Sequence, residues 1–367
     1  MRKLKVIQLL PELNSGGVER GTIEVGKYLF DQGHESIVVS NGGRMVEQLI
    51  REGSKHVKIP VHRKNPISLL LLPKLRKLFI SEKPDIIHAR SRIPAWLCFL
   101  TLKLIKKEIR PKFVTTVHGF YSVNYFSSIM TKGDAVICVS NSIREYVLEN
   151  YPKASLHNTY VIHRGIRSSD YNFSHKPNQE WLNNWYKDFP NTKNAKLLVL
   201  PGRITRLKGH EEFLEIIKEL GDEYFGLIIG YVNKNKKKYF DELKSSAELM
   251  GISERITFLG HRDDLRDIFS ISFCVFSLST KPESFGRIVL EALSVGIPVI
   301  GYDIGGVAEI LDQLLPQGKI ARQDIRSAVS LIRKWDRYPA FPKKNTSFVL
   351  EKMLAEIVNV YVQLISR

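Results

Sequence analysis

Short runs rich in Val, Ile and Leu alternate with amphipathic helical patterns along the first half of the chain. After a break, the same alternation starts again. In the first half the strand-like runs are Lys5–Leu10, Glu35–Ser40, Ile86–Ala89, Phe113–Val117, Ala135–Val139 and Tyr160–His163, with helical patterns between them at Val18–Asp31 and Ser142–Asn150. Strands that are apolar on both faces need cover on both faces, so helix-separated runs of this kind predict a parallel sheet between helical layers. Ser168–Asn194 is polar, aromatic and aperiodic, and reads as a linker with some local structure. The second series has strands at Lys196–Leu200, Phe225–Gly230, Ile256–Leu259, Phe273–Ser277 and Pro298–Gly301. Its helices fall near Lys208–Leu220, Tyr239–Met250, Gly286–Ser294 and Ala328–Trp335. A strong helical period closes the chain over Thr346–Ile365. The expectation is an α/β chain of two domains, 1–167 and 168–345, with 346–367 as a helix packing back on the first. Open parallel sheets bind ligands beyond the carboxyl ends of their strands.

Composition narrows the class. With 43% apolar and 25% charged residues the chain is neither disordered nor fibrous. The longest apolar stretches, Leu69–Leu72 and Leu97–Leu104, fall far short of a membrane span of roughly 18 residues. The basic start leads into a run too brief for a signal peptide, which reads better as a first strand. Cys98, Cys138 and Cys274 lack metal or redox spacing and read as buried thiols, so the expected location is the cytoplasm.

Charge is the asymmetric feature. Of the formal +17, residues 1–167 hold 27 basic and 13 acidic side chains, and 51–112 alone hold 16 and 4. Such an excess points to an anionic partner or, more blandly, to a solvated surface. Nucleic acid is disfavoured because no helix-turn-helix, zinc-finger, RNP or KH signature accompanies it. Two segments, Ile67–Ile80 and Trp96–Arg110, interleave basic residues with apolar ones at helical spacing, the second including Lys103, Lys106, Lys107 and Arg110. Helices of this kind either lie on an anionic bilayer or form core helices with a basic outer face.

Four motifs carry chemistry. Gly16-Gly17, between the first strand and its helix, can bring backbone N–H groups to a phosphate, or can simply make a tight turn. It is not the G-x-G-x-x-G fingerprint, and the second strand ends at Ser40-Asn41 without the acidic residue a dinucleotide requires. His118, ahead of Gly119 at a strand's carboxyl end, is placed to hydrogen-bond a ligand hydroxyl. Arg203 and Lys208 lie five residues apart after the first strand of the second series, a spacing suited to clamping a diphosphate. In Lys281–Ala292, Glu283 precedes a helix and Glu291 lies inside it. The amides of Ser284, Phe285, Gly286 and Arg287 can hold an anion while the carboxylates accept from sugar hydroxyls.

Together these motifs resemble glycosyltransferase family 4, the retaining nucleotide-sugar transferases of the GT-B fold, over nearly the whole chain. The resemblance implies two Rossmann-like α/β domains facing each other across a deep cleft. It assigns donor contacts to Gly16, Gly17, Arg203, Lys208, Arg262, Glu283, Ser284, Phe285, Gly286 and Glu291. Catalysis falls to His118, Arg203, Lys208 and Glu283. The base would dock near Gly230-Tyr231-Val232 and Gly260-His261-Arg262. The hinge run His163–Tyr171 keeps the family pattern only in part. Asp85–Trp96 resembles a bacterial branch attached to lipopolysaccharide or other surface-glycan assembly, which would put Arg90 and Arg92 at the cleft mouth on the acceptor side.

The implied reaction is retaining transfer from a nucleotide-diphosphate sugar to a glycan or glycolipid, with no metal and no further cofactor. No D-x-D motif is present to hold a cation. The implied partners are the donor, the acceptor and an anionic membrane surface met by residues 51–112, at the inner face of the cytoplasmic membrane, with no nucleic acid. A non-catalytic nucleotide-sugar-binding subunit and a nucleotide-sugar epimerase are the alternatives.

Overall fold

Why one half of the chain pairs in register with itself is visible in its strands. In a computed structural model describing residues 2–14, 16–152, 154 and 156–366, seven strands form one parallel sheet. They are β1 (Lys5–Leu9), β2 (Glu35–Ser40), β3 (Lys55–Lys58), β4 (Ile86–Ala89), β5 (Lys112–Val117), β6 (Ala135–Cys138) and β7 (Thr159–Val161), in the order β3-β2-β1-β4-β5-β6-β7. Val6, Ile7 and Leu9 of the central β1 are fully buried. The helix Gly17–Asp31 turns Ile23, Val25 and Leu29 onto the sheet. Parallel strands need such crossovers, and the two-sided burial they create explains the near-continuous apolar runs.

The second sheet repeats the plan with β8 (Lys196–Pro201), β9 (Tyr224–Ile229), β10 (Ile256–Gly260), β11 (Cys274–Ser277), β12 (Val299–Tyr302) and β13 (Lys319–Ile320), in the order β10-β9-β8-β11-β12-β13. Phe213 of the helix His210–Glu219 meets Phe276 of β11 edge to face at 5.3 Å between ring centres. Each sheet is a Rossmann-like unit. One unit comprises Met1–His163 with Glu351–Arg367, the other Arg164–Leu350.

The terminal helix Leu350–Ser366 contributes Tyr361 to the core of the first unit. Its hydroxyl is hydrogen-bonded to Nδ1 of His88 on β4 at 2.6 Å, and Nε2 of His88 to Thr116 Oγ1 of β5 at 2.6 Å. Burial holds His88 neutral, far below its ordinary titration range, with Arg90 nearby adding to the effect.

Several elements depart from expectation. β3 and β13 carry no apolar run, and the sequence did not announce them: Lys55-His56-Val57-Lys58 is a half-exposed edge strand and β13 is two residues long. The linker region contains a helix, Gln179–Asp188, capped by the Asn178 side chain, which accepts from Trp181 N at 2.7 Å. Trp181 and Trp185, one turn apart, stack at 5.2 Å, and Trp185 is buried in the core of the second unit. The segment is therefore part of that unit.

The two basic segments are also not continuous amphipathic helices. Pro66–Leu71 forms a 3-10 turn before the helix Leu72–Glu82. The helix Arg92–Lys103 buries Ala95, Leu97, Cys98 and Leu102, and the chain leaves helical geometry at Lys106 (ψ 141°) before a 3-10 turn at Lys107–Ile109. Lys106, Lys107 and Arg110 thus lie beyond a core helix. Among the described residues no helix is long and apolar enough to cross a membrane. The three cysteines are buried free thiols.

Candidate functional site

The strand order of the second sheet reverses between β8 and β11, so the loops leaving these two strands diverge and open a crevice at their carboxyl ends. After β8 the chain stays tied to its neighbour, with Gly202 N donating to Ile229 O (2.8 Å) and Ile204 N to Tyr231 O (3.2 Å). A 3-10 turn over Arg206–Lys208 then ends at Gly209. Here φ is 70°, and a Cβ would sit 2.3 Å from the carbonyl oxygen of Leu278, so only glycine lets this turn close on the end of β11. Thr280 N donates to Leu207 O at 3.0 Å, fastening the second loop to the first.

This closure brings Lys208 to Glu283, 75 residues away. Lys208 Nζ donates to Glu283 Oε1 at 2.5 Å and to Ser279 Oγ at 3.2 Å, while Ser279 Oγ donates to the same carboxylate oxygen at 2.5 Å. The Glu283 carbonyl accepts from Gly306 N at 2.8 Å, which fixes the backbone as well. Burial pushes the Glu283 carboxyl upward. The Lys208 charge and the hydrogen bonds from Lys208 and Ser279 outweigh it, so the group titrates below the ordinary glutamate range. Both side chains keep about a quarter of their surface open, 25% for Lys208 and 27% for Glu283. The cluster is a cation, held in place by a carboxylate, that a second anion can reach. Arg203 stands exposed on the β8 loop, with no side-chain hydrogen bond or ion pair among the described residues.

Beyond Glu283 come Ser284, half-buried, and Phe285, whose ring packs edge to face on Phe348 at 5.9 Å. Gly286 then caps the helix Arg287–Ser294 with φ 89°. A Cβ there would lie 2.8 Å from Val307 Cγ2, so this helix start too requires glycine. Glu291, one turn into the helix, is buried and receives Arg287 Nε at 2.8 Å. Arg203, Lys208 and the run Glu283–Glu291 therefore lie on the two loops that leave the switch point. Arg262 belongs to a separate cluster. It grips Asp264 with two hydrogen bonds (2.8 and 2.5 Å), and Asp264 also accepts from Trp181 Nε1 at 2.9 Å.

The remaining candidates belong to the first unit. Gly16 (φ 136°) and Gly17 open the helix after β1, and Ser15 before them lies outside the described residues. His118 follows β5 and is half-buried, its backbone N–H donating to the Tyr121 hydroxyl at 3.3 Å. Arg90, expected at the cleft mouth on the acceptor side, is inside the first unit's core layer rather than exposed. Arg90 is 4% exposed, and its Nε donates to Gln8 Oε1 at 2.8 Å on the central strand β1. It follows β4 directly, where the first sheet reverses its order, and its guanidinium lies beside the helix Gly17–Asp31, with Nη1 3.7 Å from where a Cβ at Gly21 would sit. Arg92, two residues on, is half-buried, lies 4.9 Å over the Tyr121 ring and donates to Ser127 Oγ at 3.1 Å.

Ser279 escaped the sequence reading. Its only signal is a hydroxyl four residues before Glu283, and no local pattern says that the loop folds the two together. Among the described residues no three His, Cys, Asp or Glu side chains cluster as metal ligands.

Comparison with known proteins agrees with this geometry. Residues 15–170 match the family model described as Glycosyltransferase Family 4, and residues 183–344 match the one described as Glycosyl transferases group 1. N-acetyl-alpha-D-glucosaminyl L-malate synthase of Bacillus anthracis is 25% identical over 333 residues, 84% of this chain and 81% of that protein. The crystal structure of a glycosyltransferase from Rickettsia africae ESF-5 superposes with a TM-score of 0.87 at 29% identity, covering 99% of each chain. Anabaena HepE, crystallised with UDP and glucose, shares the fold with a TM-score of 0.81 at 18% identity, over 98% of this chain and 100% of that one.

Proposed function

The chain belongs to glycosyltransferase family 4 and has the two Rossmann-like units of the GT-B architecture, and from that premise we propose that it moves a sugar from a nucleotide-diphosphate donor to a glycan or glycolipid acceptor with retention and without a metal. The observation that carries the reading is the Lys208–Ser279–Glu283 cluster at the β8/β11 switch point, with the exposed Arg203 on the adjoining loop. As the bond to the anomeric carbon breaks, negative charge grows on the departing diphosphate. Fixed cations aimed at that charge stabilise the transition state more than the ground state. Lys208, already oriented by Glu283, and Arg203 fill this role, together with the amides ahead of the helix Arg287–Ser294.

Glu283 and Glu291 act as hydroxyl acceptors, Glu283 toward the donor sugar and Glu291 toward the ribose, and His118 contributes a further sugar contact. The acceptor hydroxyl oxygen attacks on the face from which the diphosphate leaves. It passes its proton to the departing phosphate oxygen, so the C–O bond to phosphate is exchanged for a glycosidic C–O bond of the same configuration. UDP is the first donor nucleotide to test, because the Anabaena neighbour was crystallised with UDP and glucose. Lipopolysaccharide core or another surface glycan is the acceptor class we favour, with the basic first unit on an anionic membrane. Exposed Lys74, Arg76 and Lys77 beside exposed Ile80 support that placement.

A thermal-shift screen against UDP-, GDP- and ADP-sugars identifies the donor, since a ligand of the native state raises its apparent stability. Transfer is then assayed in Lys208→Ala and Glu283→Gln, with chelator present throughout and the product anomer read by NMR. Wild-type rates in both variants would sink the assignment. An inverted product would overturn retention, and loss of activity on chelation would overturn metal independence.

A further inference from the structure

A second cavity lies wholly within the first unit. It is an open groove of about 970 Å³ with three walls: the strap 62–69, whose second half is the start of the 3-10 turn Pro66–Leu71, the helix Arg92–Lys103, and the aromatic pair Tyr125 and Phe126. Pro11, Glu12, Ser91 and Arg92 form part of its lining. They follow β1 and β4, the two strands between which the first sheet reverses its order. One end of the groove therefore opens at this unit's own switch point, the place where parallel sheets receive ligands.

From Arg92 the groove follows the helix through Ile93, Trp96 and Leu100. At 1.5 Å per residue this is a run of about 12 Å. The apolar wall is held open. Trp96 Nε1 donates to the Phe126 carbonyl at 2.9 Å and its ring meets Tyr125 at 5.3 Å, so the aromatic pair is tied to the helix instead of collapsing into the space. Leu69 on the strap is 48% exposed and Tyr125 75%, an exposure of large apolar groups that a groove with a resident ligand would relieve. The charge of the lining is one-sided. Arg63, Lys64 and Arg92 face a single carboxylate, Glu12, and Glu12 is already hydrogen-bonded to Asn14 and Asn41. His62 adds a buried Nδ1 with no hydrogen-bond partner among the described residues.

We infer that this groove seats the hydrocarbon chain of a phosphate-bearing amphiphile, with the phosphate held at the Arg63, Lys64 and Arg92 end and the chain laid along Trp96 and Leu100. In its choice of ligand the inference rests on the proposed transfer to a glycolipid. It sharpens that proposal by requiring a single lipid chain to enter the protein. Electrostatic adsorption of the whole unit to a surface is a different arrangement and predicts no dependence on chain length in monomeric ligands.

The test is calorimetric titration with hexyl, octyl and decyl phosphate below their aggregation concentrations, with inorganic phosphate alongside. Each buried methylene should tighten binding by about twofold to fourfold, the upper figure corresponding to 0.8 kcal/mol for full burial. Leu69→Asp, an exposed position on the strap, should abolish the chain-length dependence and leave nucleotide-sugar binding unchanged. Leu249→Asp, on an exposed helix end of the other unit, serves as the control and should change neither. Equal affinity for inorganic and decyl phosphate would overturn the inference, as would a Leu69→Asp variant that keeps the full chain-length series. Nucleotide-sugar binding measured on the same samples separates the two readings. Intact donor binding with no chain-length dependence defeats the groove alone. Chain-length dependence without donor binding upholds the groove and defeats the transferase assignment.

Discussion

Removing the Lys208 ammonium while keeping its stem, as in Lys208→Met, leaves the Glu283 carboxylate three-quarters buried with only Ser279 to hold it. Breaking a fully buried pair costs about 3–5 kcal/mol, and an exposed pair contributes about 0–1 kcal/mol. With 25% and 27% of the two side chains exposed, the loss should fall between these limits, about 2 kcal/mol. For a unit of this size that corresponds to a fall of about 4–8 °C in Tm of the transition that unfolds it. Glu283→Gln should cost a similar amount by stranding the lysine. The double variant should lose about 1–2 kcal/mol less than the sum, since no uncompensated charge remains. The pH dependence has a definite sign. Because the folded carboxyl titrates below its ordinary range, the pair's contribution is complete at neutral pH and fades as pH falls through the folded value. The gap between wild type and Lys208→Met, followed by circular dichroism, should therefore be widest near pH 7 and narrow steadily below the ordinary glutamate range. Additive single and double variants, or a gap unchanged down to pH 3, would refute the reasoning.

Three further outcomes follow from the same geometry. Ser279→Ala should lower transfer about tenfold and raise the acid limb of the pH–rate profile, because one hydrogen bond that holds Glu283 ionised is gone, and Ser279→Thr should restore both. Arg203→Ala should cut kcat by about a hundredfold, in line with loss of one transition-state charge contact, and leave Tm unchanged because the side chain is exposed and has no partner among the described residues. Tyr361→Phe should destabilise the first unit by about 1–3 kcal/mol in denaturant unfolding, since it strands the buried His88 Nδ1.

Much of the fold was legible before any coordinates. Where strands are buried on both faces, as at β2 and β4, the apolar run and the observed strand coincide residue for residue. The edge strands β3 and β13 left no such signal, because the first has only Val57 among two lysines and a histidine and the second is two residues long, whereas the edge strands β7 and β10 keep apolar runs and were announced. The helix Gln179–Asp188 was hidden for a related reason. Its apolar face is built from Trp181, Trp185 and Tyr186 among polar neighbours, and only packing against the second core shows that they form a face. Of the site, residue types and loops could be named in advance: Arg203 and Lys208 after one strand, Glu283 and Glu291 around one helix start.

By itself, then, the sequence determined two parallel α/β units, the loops of the candidate site and the family to which they belong, because periodicity and glycine placement are local properties. Tertiary structure alone decided which of those residues meet. The reversal of strand order at β8/β11, and the left-handed turn at Gly209, bring Lys208, Ser279 and Glu283 within hydrogen-bonding distance across 75 residues. At the corresponding reversal in the first sheet Arg90 is buried, while Arg92 lies on the wall of a groove. Two arginines separated by one residue thus meet different fates. Burial depends on what crosses above a residue, and no local pattern records that.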